Sequence, residues 1–533
     1  MAIKVTNLDE SQKKNKSSIV NEKHTERDID TYLLSNITNN DMASRCLGRK
    51  KIFIPVSPNE FKSNPVYYFI KYIGSIRSDH EFNVSQIKYL DNVFKGKHDI
   101  LMKVRANSDS KINNKVITNY ALEWNAFKKG YYVGKPIKYV DTNGGSNDYE
   151  DMKYFNLYMR DIKKSSIDMT KYEKLFTNGV AYTMTYYKDN PVDSEKQSPF
   201  EYIVLDNTEV CVVYSTDMKK SRLFSLYFTK VETDSDNYMI YTLEFGKRQI
   251  KIRDNSKTND GYEVLEDVEL ELADRITEYC LNEQRMSIIE MALNGINTVN
   301  KLRSNLLDQQ EEHVNGYIVF VNVDTSKIDS EKMREKRIIG ITSNNQNKVA
   351  DIKVVSTDVD FTSTTDFIET IIQDMFDIVG VPRATSNTGQ GVSGEAQTYG
   401  GGWENAQNVA KVDTTYLIQY ERQDLEKFIE LCQNYENNKL PNLYAGGIEI
   451  KYTLNKSNNM MVKAQSAKYF TDMGFTREQA LTYCEITDDP QNDGKIADEN
   501  AERLEQRAID LEYEKEKKLQ SLTQTSETPQ ENN

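Results

Sequence analysis

The sequence predicts an α+β protein built from separate helical and strand-rich parts, and three observations carry that prediction. Apolar residues recur at helical spacing in long segments around Ile289–Leu306, Phe367–Val379 and Trp403–Cys432. A block from Gly179 to about Asp254 alternates instead, with Met239, Tyr241, Leu243 and Phe245 on one face and Tyr238, Ile240, Thr242 and Glu244 on the other. Of the 533 residues, 38% are hydrophobic and 28% charged. Such a length allows about two to four domains, and such a composition suits an extended subunit that buries surface against neighbours.

Residues 1–41 are polar, charged and nearly free of aromatic side chains, which predicts a flexible arm. Lys50-Lys51 lead into Ile52-Phe53-Ile54, a short strand with a basic start. Helical patterns dominate Val66 to Phe127, with Ile117, Tyr120, Trp124 and Phe127 on one face, and Tyr139–Glu150 is a turn-rich break around Gly144-Gly145. One helix is expected over Tyr154–Phe176 and a strand over Gly179–Tyr187. Lys247–Ile252 pairs with the Met239–Phe245 strand through a turn near Gly246, and Asp254–Gly261 reads as a solvated loop. Residues 42–285 are thus expected to form one mixed α+β domain.

Ile289, Ala292, Ile296, Val299, Leu302 and Leu306 make one apolar helical stripe. The opposite face, with Asn294, Asn297, Lys301, Arg303 and Asp308, is left for water or a lumen. Gly316 ends that helix, and strands at Tyr317–Val323 and Val349–Ser356 enclose a strongly charged stretch, Lys327–Lys348. Phe367, Ile368, Ile371, Ile372, Met375, Ile378 and Val379 form a second stripe. Gly380-Val381-Pro382 stops it, since glycine suits the left-handed position after a helix and proline cannot continue one. The segment Gly380–Gln397 is too rich in Gly, Ser, Thr and Asn to pack on its own. From Trp403 a third pattern (Ala406, Ala410, Val412, Tyr416, Tyr420, Leu425, Phe428, Cys432) continues for roughly thirty residues, or about 45 Å. Ile448–Leu454 alternates as a returning strand. Met460–Phe470 and Thr476–Tyr483 form a helical pair, the second capped by Thr476. Asp498–Leu522 is a charged helix with a thin stripe (Leu504, Ala508, Leu511, Leu519), and residues 523–533 are expected to be disordered.

The element order resembles that of the portal proteins of tailed double-stranded DNA bacteriophages. The residues that carry the resemblance are a helix, Gly380-Val381-Pro382, a polar loop with Ser393-Gly394-Glu395-Ala396, and a long helix. Upstream, Asn114–Tyr139 (NKVITNYALEWNAFKKGYYVGKPIKY) is similar to a segment of portals from phages of Gram-positive bacteria. The resemblance covers roughly Val116 to Thr453, and the order of its motifs is more specific than any one of them. Two departures stand out: Gly400-Gly401-Gly402 interrupts what the family continues as helix, and Asn282-Glu283-Gln284 only weakly echoes its asparagine-rich approach to the stem.

The resemblance implies a portal fold assembled as a ring, divided into a wing (42–285), a stem helix (286–312), an α/β clip (313–360) and a second stem helix (361–380). A tunnel loop (381–402), a long helix with a returning wing strand (403–456) and a helical crown (457–522) complete it. It further implies a homododecamer at one capsid vertex, a virion component assembled in the host cytoplasm, through which double-stranded DNA passes during packaging and ejection. Expected partners are the terminase large subunit, head-completion adaptor and tail proteins, and the major capsid and scaffolding proteins. Channel contacts are expected from Arg383, Ser386, Asn387, Thr388, Gln390, Val392 and Ser393, and clip docking from Lys332, Arg334, Lys336 and Arg337. The alternative is another virion structural protein, such as a head–tail adaptor or tail component, although adaptors are usually smaller and lack two helices flanking a charged insert.

The residues themselves point away from catalysis. Gly389-Gln390-Gly391-Val392-Ser393-Gly394 spells G-x-G-x-x-G, but it follows a helix and a proline where a dinucleotide fold needs a strand. No P-loop sequence is present, so the chain is not expected to be the packaging motor. Four dispersed histidines and five scattered cysteines offer no metal or disulfide framework, and Ser393 has no histidine downstream to act as its base. No enzyme activity, metal or cofactor is expected. Net charge is −14, unlike a sequence-specific duplex binder but suited to a conduit whose wall does not hold the polyanion. The 33 tyrosines fit either a chain rich in interfaces or codon bias in an AT-rich genome. No stretch reaches the roughly eighteen apolar residues that span a bilayer, and no apolar signal core is visible, so a soluble protein is expected.

Overall fold

Ser57 and Asn64 set the first two helices. Ser57 Oγ accepts the Glu60 amide while the Glu60 carboxylate accepts the Ser57 amide at 2.9 Å, a reciprocal cap for α1 (Pro58–Ser63). Asn64 caps α2 (Pro65–Phe94), whose face Phe69, Ile73, Ile76, His80, Asn83, Ile87, Leu90 and Val93 is buried at steps of three and four. A computed structural model describes residues 48–104, 112–141, 148–188, 197–232, 237–255, 261–314, 317–321, 351–355, 361–383, 402–434, 440, 443–455, 460–484, 486–487 and 490–524. The chain divides into two units, Met1–Tyr452 and Thr453–Asn533. The expected arm at residues 1–41, the Gly144-Gly145 turn and the charged stretch Lys327–Lys348 lie outside the described residues.

In the first unit, α2 lies on a six-stranded sheet. Its strands are β1 (Ile52–Ile54), β5 (Val210–Ser215), β6 (Arg222–Glu232), β7 (Asn237–Phe245), β8 (Arg248–Asn255) and β9 (Gly261–Glu269), in the order β1-β5-β6-β7-β8-β9. Only β1 and β5 pair in parallel. Phe61 stacks on Phe224 at 4.7 Å between ring centres, and Phe69 meets Tyr241 edge-on at 5.4 Å, so aromatic contacts fasten the helices to the sheet. Met239, Tyr241, Leu243 and Phe245 do share the core-facing side of β7.

A second sheet joins β10 (Ile276–Cys280), β3 (Val180–Tyr187) and β4 (Phe200–Val204), and β13 (Ile448–Lys451) returns to pair with β2 (Lys138–Asp141). Strands β9 and β10 extend the expected strand block beyond Asp254. Between β2 and β3 the single expected helix is two, α4 (Asp148–Asp161) and α5 (Lys164–Asn178), because Lys163 takes a left-handed conformation (φ 55°) and breaks the run.

Ile117 is not helical. Residues 112–119 form no regular secondary structure and α3 begins only at Tyr120, running to Val133. Their backbone takes its partners from one face of α6 (Ile288–Val314): Asn114 N–H donates to Asp308 Oδ1 at 2.6 Å, Val116 N–H to Ser304 Oγ at 2.9 Å and Thr118 N–H to Asn300 Oδ1 at 3.2 Å. Asn300, Ser304 and Asp308 recur every four residues, so they form a ladder along the helix. Of the side of α6 expected to meet water or a lumen, Asn294 and Lys301 are exposed, Asn297 and Arg303 are half-buried, and Asp308 is buried. At the start of α6, Glu290 accepts the Ser287 amide at 2.7 Å and the Gly48 amide at 3.1 Å and pairs with the Arg49 guanidinium.

Two further helices follow, α7 (Phe361–Val379) and α8 (Trp403–Asn434), and between α6 and α7 the antiparallel pair β11 (Tyr317–Val321) and β12 (Asp351–Val355) faces Tyr317 with Val355. The second unit contains α9 (Met460–Asp472), α10 (Arg477–Cys484) and α11 (Pro490–Gln524). Thr476 Oγ1 accepts the Gln479 amide at 3.2 Å, the expected cap of α10, and the rings of Phe470, Phe475 and Tyr483 meet one another at the surface. Helix α11 includes residues 523 and 524, which the sequence assigns to a disordered tail; residues 525–533 lie outside the described ones.

Candidate functional site

The site begins where α6 and α7 pack. Ile289, Ala292, Ile296 and Val299 of α6 are buried, as are Ile368, Ile372, Met375, Phe376 and Val379 of α7. Gly295 makes the close approach possible, since a Cβ there would sit 2.4 Å from Met375 Sδ. Helix α7 ends as its sequence dictates: Gly380 is left-handed (φ 70°) and Val381 N–H donates back to Phe376 O at 3.0 Å.

The chain leaves α7 and enters α8 at one place. Gly402, also left-handed (φ 79°), lies so near Pro382 that its Cβ would sit 3.5 Å from Pro382 Cα. Asn405 in the first turn of α8 donates to the Asp377 carbonyl at 2.8 Å and so caps the last turn of α7. Trp403 stands edge-on to Phe127 of α3 at 5.8 Å and near Tyr131 at 6.2 Å. Residues 384–401 thus depart from and return to two feet that are pinned together, on a base formed by α3, α7 and α8.

Of the channel residues expected from sequence, only Arg383 lies among the described residues. Its guanidinium turns back on α7, pairing with Glu369 and standing 5.6 Å from the centre of the Phe376 ring. Ser386, Asn387, Thr388, Gln390, Val392 and Ser393 lie outside them, as do Lys332, Arg334, Lys336 and Arg337.

Sequence reasoning missed a buried ionic cluster that holds α8 to the second sheet. Lys164, Asp168 and Lys171 line one face of α5. Lys164 Nζ donates to Asp168 Oδ1 at 2.7 Å and to Glu421 Oε2 at 3.1 Å, and Lys171 pairs with both Asp168 and Glu421. One turn further along α8, Asp424 accepts the hydroxyls of Tyr202 and Tyr279 at 2.6 Å each, Thr183 at 3.2 Å, and Thr277. Burial would push the Glu421 carboxyl up, but Lys164 and Lys171 outweigh it and hold the group below the usual carboxylate range. Burial likewise opposes the Lys164 charge, and Asp168 and Glu421 reverse that, holding its ammonium above the ordinary lysine range. Lys427, which donates to Thr277 Oγ1 at 2.5 Å, is lowered to about 8 by burial despite Asp424.

A signal for this cluster existed. Leu417, Glu421, Asp424 and Phe428 step by four, three and four along one buried face, so two acids occupy core positions. Of the expected stripe, Ala406, Ala410, Leu425, Phe428 and Cys432 are buried on α8, whereas Val412 and Tyr416 are exposed, at 60% and 44%.

Residues 73–512 match the model of a family described as phage portal protein, SPP1 Gp6-like. The chain belongs to that portal family. No curated protein matches it. As a phage portal, the protein serves DNA packaging, and its family is a structural one of the capsid vertex. The match runs from within α2 into α11, and so takes in the α6 ladder, the α7–α8 junction and the ionic cluster. Among the described residues of the portal, no helix is long and apolar enough to cross a membrane and no group of three His, Cys, Asp or Glu could hold a metal ion. Four of its cysteines, Cys211, Cys280, Cys432 and Cys484, are buried free thiols.

Proposed function

We propose that twelve copies of the chain form a ring at one capsid vertex and that residues 381–402 of each copy reach into its channel against passing double-stranded DNA. In this reading residues 42–285 and 403–456 make the wing and its long helix, 286–312 and 361–380 the stem, 313–360 the clip and 457–522 the crown. The chain acts without catalysis. The clip, with Lys332, Arg334, Lys336 and Arg337, docks the terminase large subunit first and head-completion and tail proteins later, while the outer surface meets capsid and scaffolding proteins.

The pinned feet of the loop carry this reading. A loop that starts and ends at one point on a rigid helical base can project and bend without disturbing that base. The sequence between the feet supplies short polar side chains and glycines, which touch a duplex weakly and without sequence preference; strong phosphate contacts would oppose sliding. Helix α7 adds support for a ring of copies. Beyond its buried stripe it carries Phe367 and Ile378, each 58% exposed, on a second face, and a helix apolar on two faces calls for a cover on both.

Deleting Thr385–Gly391 is the test. Rings should assemble and be visible in negative stain, while the phage packages or retains DNA poorly. A deletion phage that packages normally refutes the loop assignment, and purified protein that yields no ring refutes the assembly.

A further inference from the structure

The six-stranded sheet is electrically polar from edge to edge. Strand β1 forms one edge and β9 the other. At the β1 edge, Lys50 and Lys51 precede the strand, and the β5–β6 turn beside it places Met218, Lys219 and Lys220 in water, with Met218 98% exposed. None of these four lysines has an ion-pair partner among the described residues. Three of them lie over rings instead: Lys50 over Phe82 at 4.1 Å, Lys51 over Tyr214 at 5.7 Å and Lys220 over Phe53 at 6.0 Å.

The β9 edge is the converse. Its sequence, GYEVLEDVE, holds four acids and no base. Asp267 and Glu266 are satisfied within the sheet by Arg248 and Lys251. Glu263 and Glu269 are exposed without a described cation, and they flank Val264 and Leu265, exposed at 41% and 46%. A bulge between Lys251 and Ile252's partners turns Leu265 out of the ladder.

We propose that the lysine edge of one copy docks on the acidic β9 edge of the next, with Met218 against Val264 and Leu265. The two edges cannot meet within one chain, because five strand spacings of about 4.8 Å hold them roughly 24 Å apart. Each edge matches the other in both respects that matter at an interface, an apolar centre and charge of opposite sign. The contact is heterologous, one surface against a different one, which is the kind that closes into a ring when the rotation per step divides a full turn. This inference rests on the ring reading and adds to it the surfaces that join neighbouring copies in the wing.

The experiment uses two full-length variants, K50E/K51E/K219E/K220E and E263K/E269K, with circular dichroism to check that each folds. Native mass spectrometry and sedimentation then measure the ring fraction at low and high salt. Each variant alone should assemble at least tenfold more weakly than the unmodified chain, since its two edges now carry the same sign. An equimolar mixture should recover rings of alternating composition, because an all-acidic copy then sits between all-basic ones. Folded variants that each assemble like the unmodified chain overturn the inference, as does a mixture that recovers nothing. So does a K50E/K51E/K219E/K220E chain that assembles normally but loses affinity for a duplex DNA probe, which would make the lysine edge a polyanion contact. An unmodified chain that forms no ring at any salt overturns the ring reading itself, and is thereby distinguishable.

Discussion

Gly402 and Pro382 lie side by side, so close that a Cβ built on the glycine would be in van der Waals contact with the proline, and Gly380 lies two residues before Pro382. Both glycines are left-handed, yet they differ in what surrounds them. A Cβ on Gly402 would meet Pro382 Cα at 3.5 Å, an ordinary contact, whereas one on Gly380 would meet Val409 Cγ2 at 2.8 Å.

Gly380→Ala should therefore destabilise more than Gly402→Ala. The left-handed conformation alone costs each about 1–2 kcal/mol, and Gly380→Ala adds the clash with Val409. Adding Val409→Ala should recover the clash but not the backbone cost. Thermal unfolding of the two single and one double variant separates these contributions.

Gly295→Val should weaken the α6–α7 contact by about 1–3 kcal/mol, the usual cost of overpacking, because Met375 Sδ occupies the space its Cβ needs. A second change, Met375→Ala, should return part of that loss. If the pair of changes is strictly additive in denaturant unfolding, the two side chains do not compete for one space.

Glu421→Gln leaves Lys164 and Lys171 buried with Asp168 as their one remaining carboxylate in that group, and should cost about 3–5 kcal/mol. Its pH dependence has a definite sign. The folded carboxyl ionises below its ordinary value of 4.5, so its contribution is complete above pH 4.5 and fades as pH falls toward the folded value. The stability gap between the unmodified chain and Glu421→Gln, followed by denaturant titration, should be constant at neutral pH and narrow in acid.

Lys427 behaves oppositely. Its folded value of about 8 lies below the ordinary lysine value of 10.5, so the unfolded chain binds more protons between those limits and stability rises with pH there. Lys427→Met should be more stable than the unmodified chain below pH 8, and that advantage should shrink through the window up to 10.5. A gap that is flat over this range would show that the ammonium is not opposed by burial.

What was legible in the sequence was whatever local rules decide. The Gly380-Val381-Pro382 stop, the start of α8 at Trp403, the alternation in β7 and the Thr476 cap each depend on residues within one turn or one strand. The misreadings share a cause too. Residues 112–119 were drawn into a helix with Ile117 because their hydrogen-bond partners, Asn300, Ser304 and Asp308, lie nearly two hundred positions away. Strand β9 carries acids at both parities, so no alternation announces it, and a sheet edge does not demand one. Lys163 breaks a helix in a conformation that lysine sequence does not advertise. At the candidate site the end of α7 was readable from Gly380 and Pro382. The acids of α8 were visible as residues but not as core, since their partners come from α5 and the second sheet.

Helix α7 has a last consequence, for how the protein's robustness is to be measured. In the proposed ring, neighbouring copies cover Phe367 and Ile378, which a lone copy leaves exposed, and association then stabilises the native state by mass action. The midpoint of heat denaturation should then climb with protein concentration, and dilution should act on this chain as a mild denaturant.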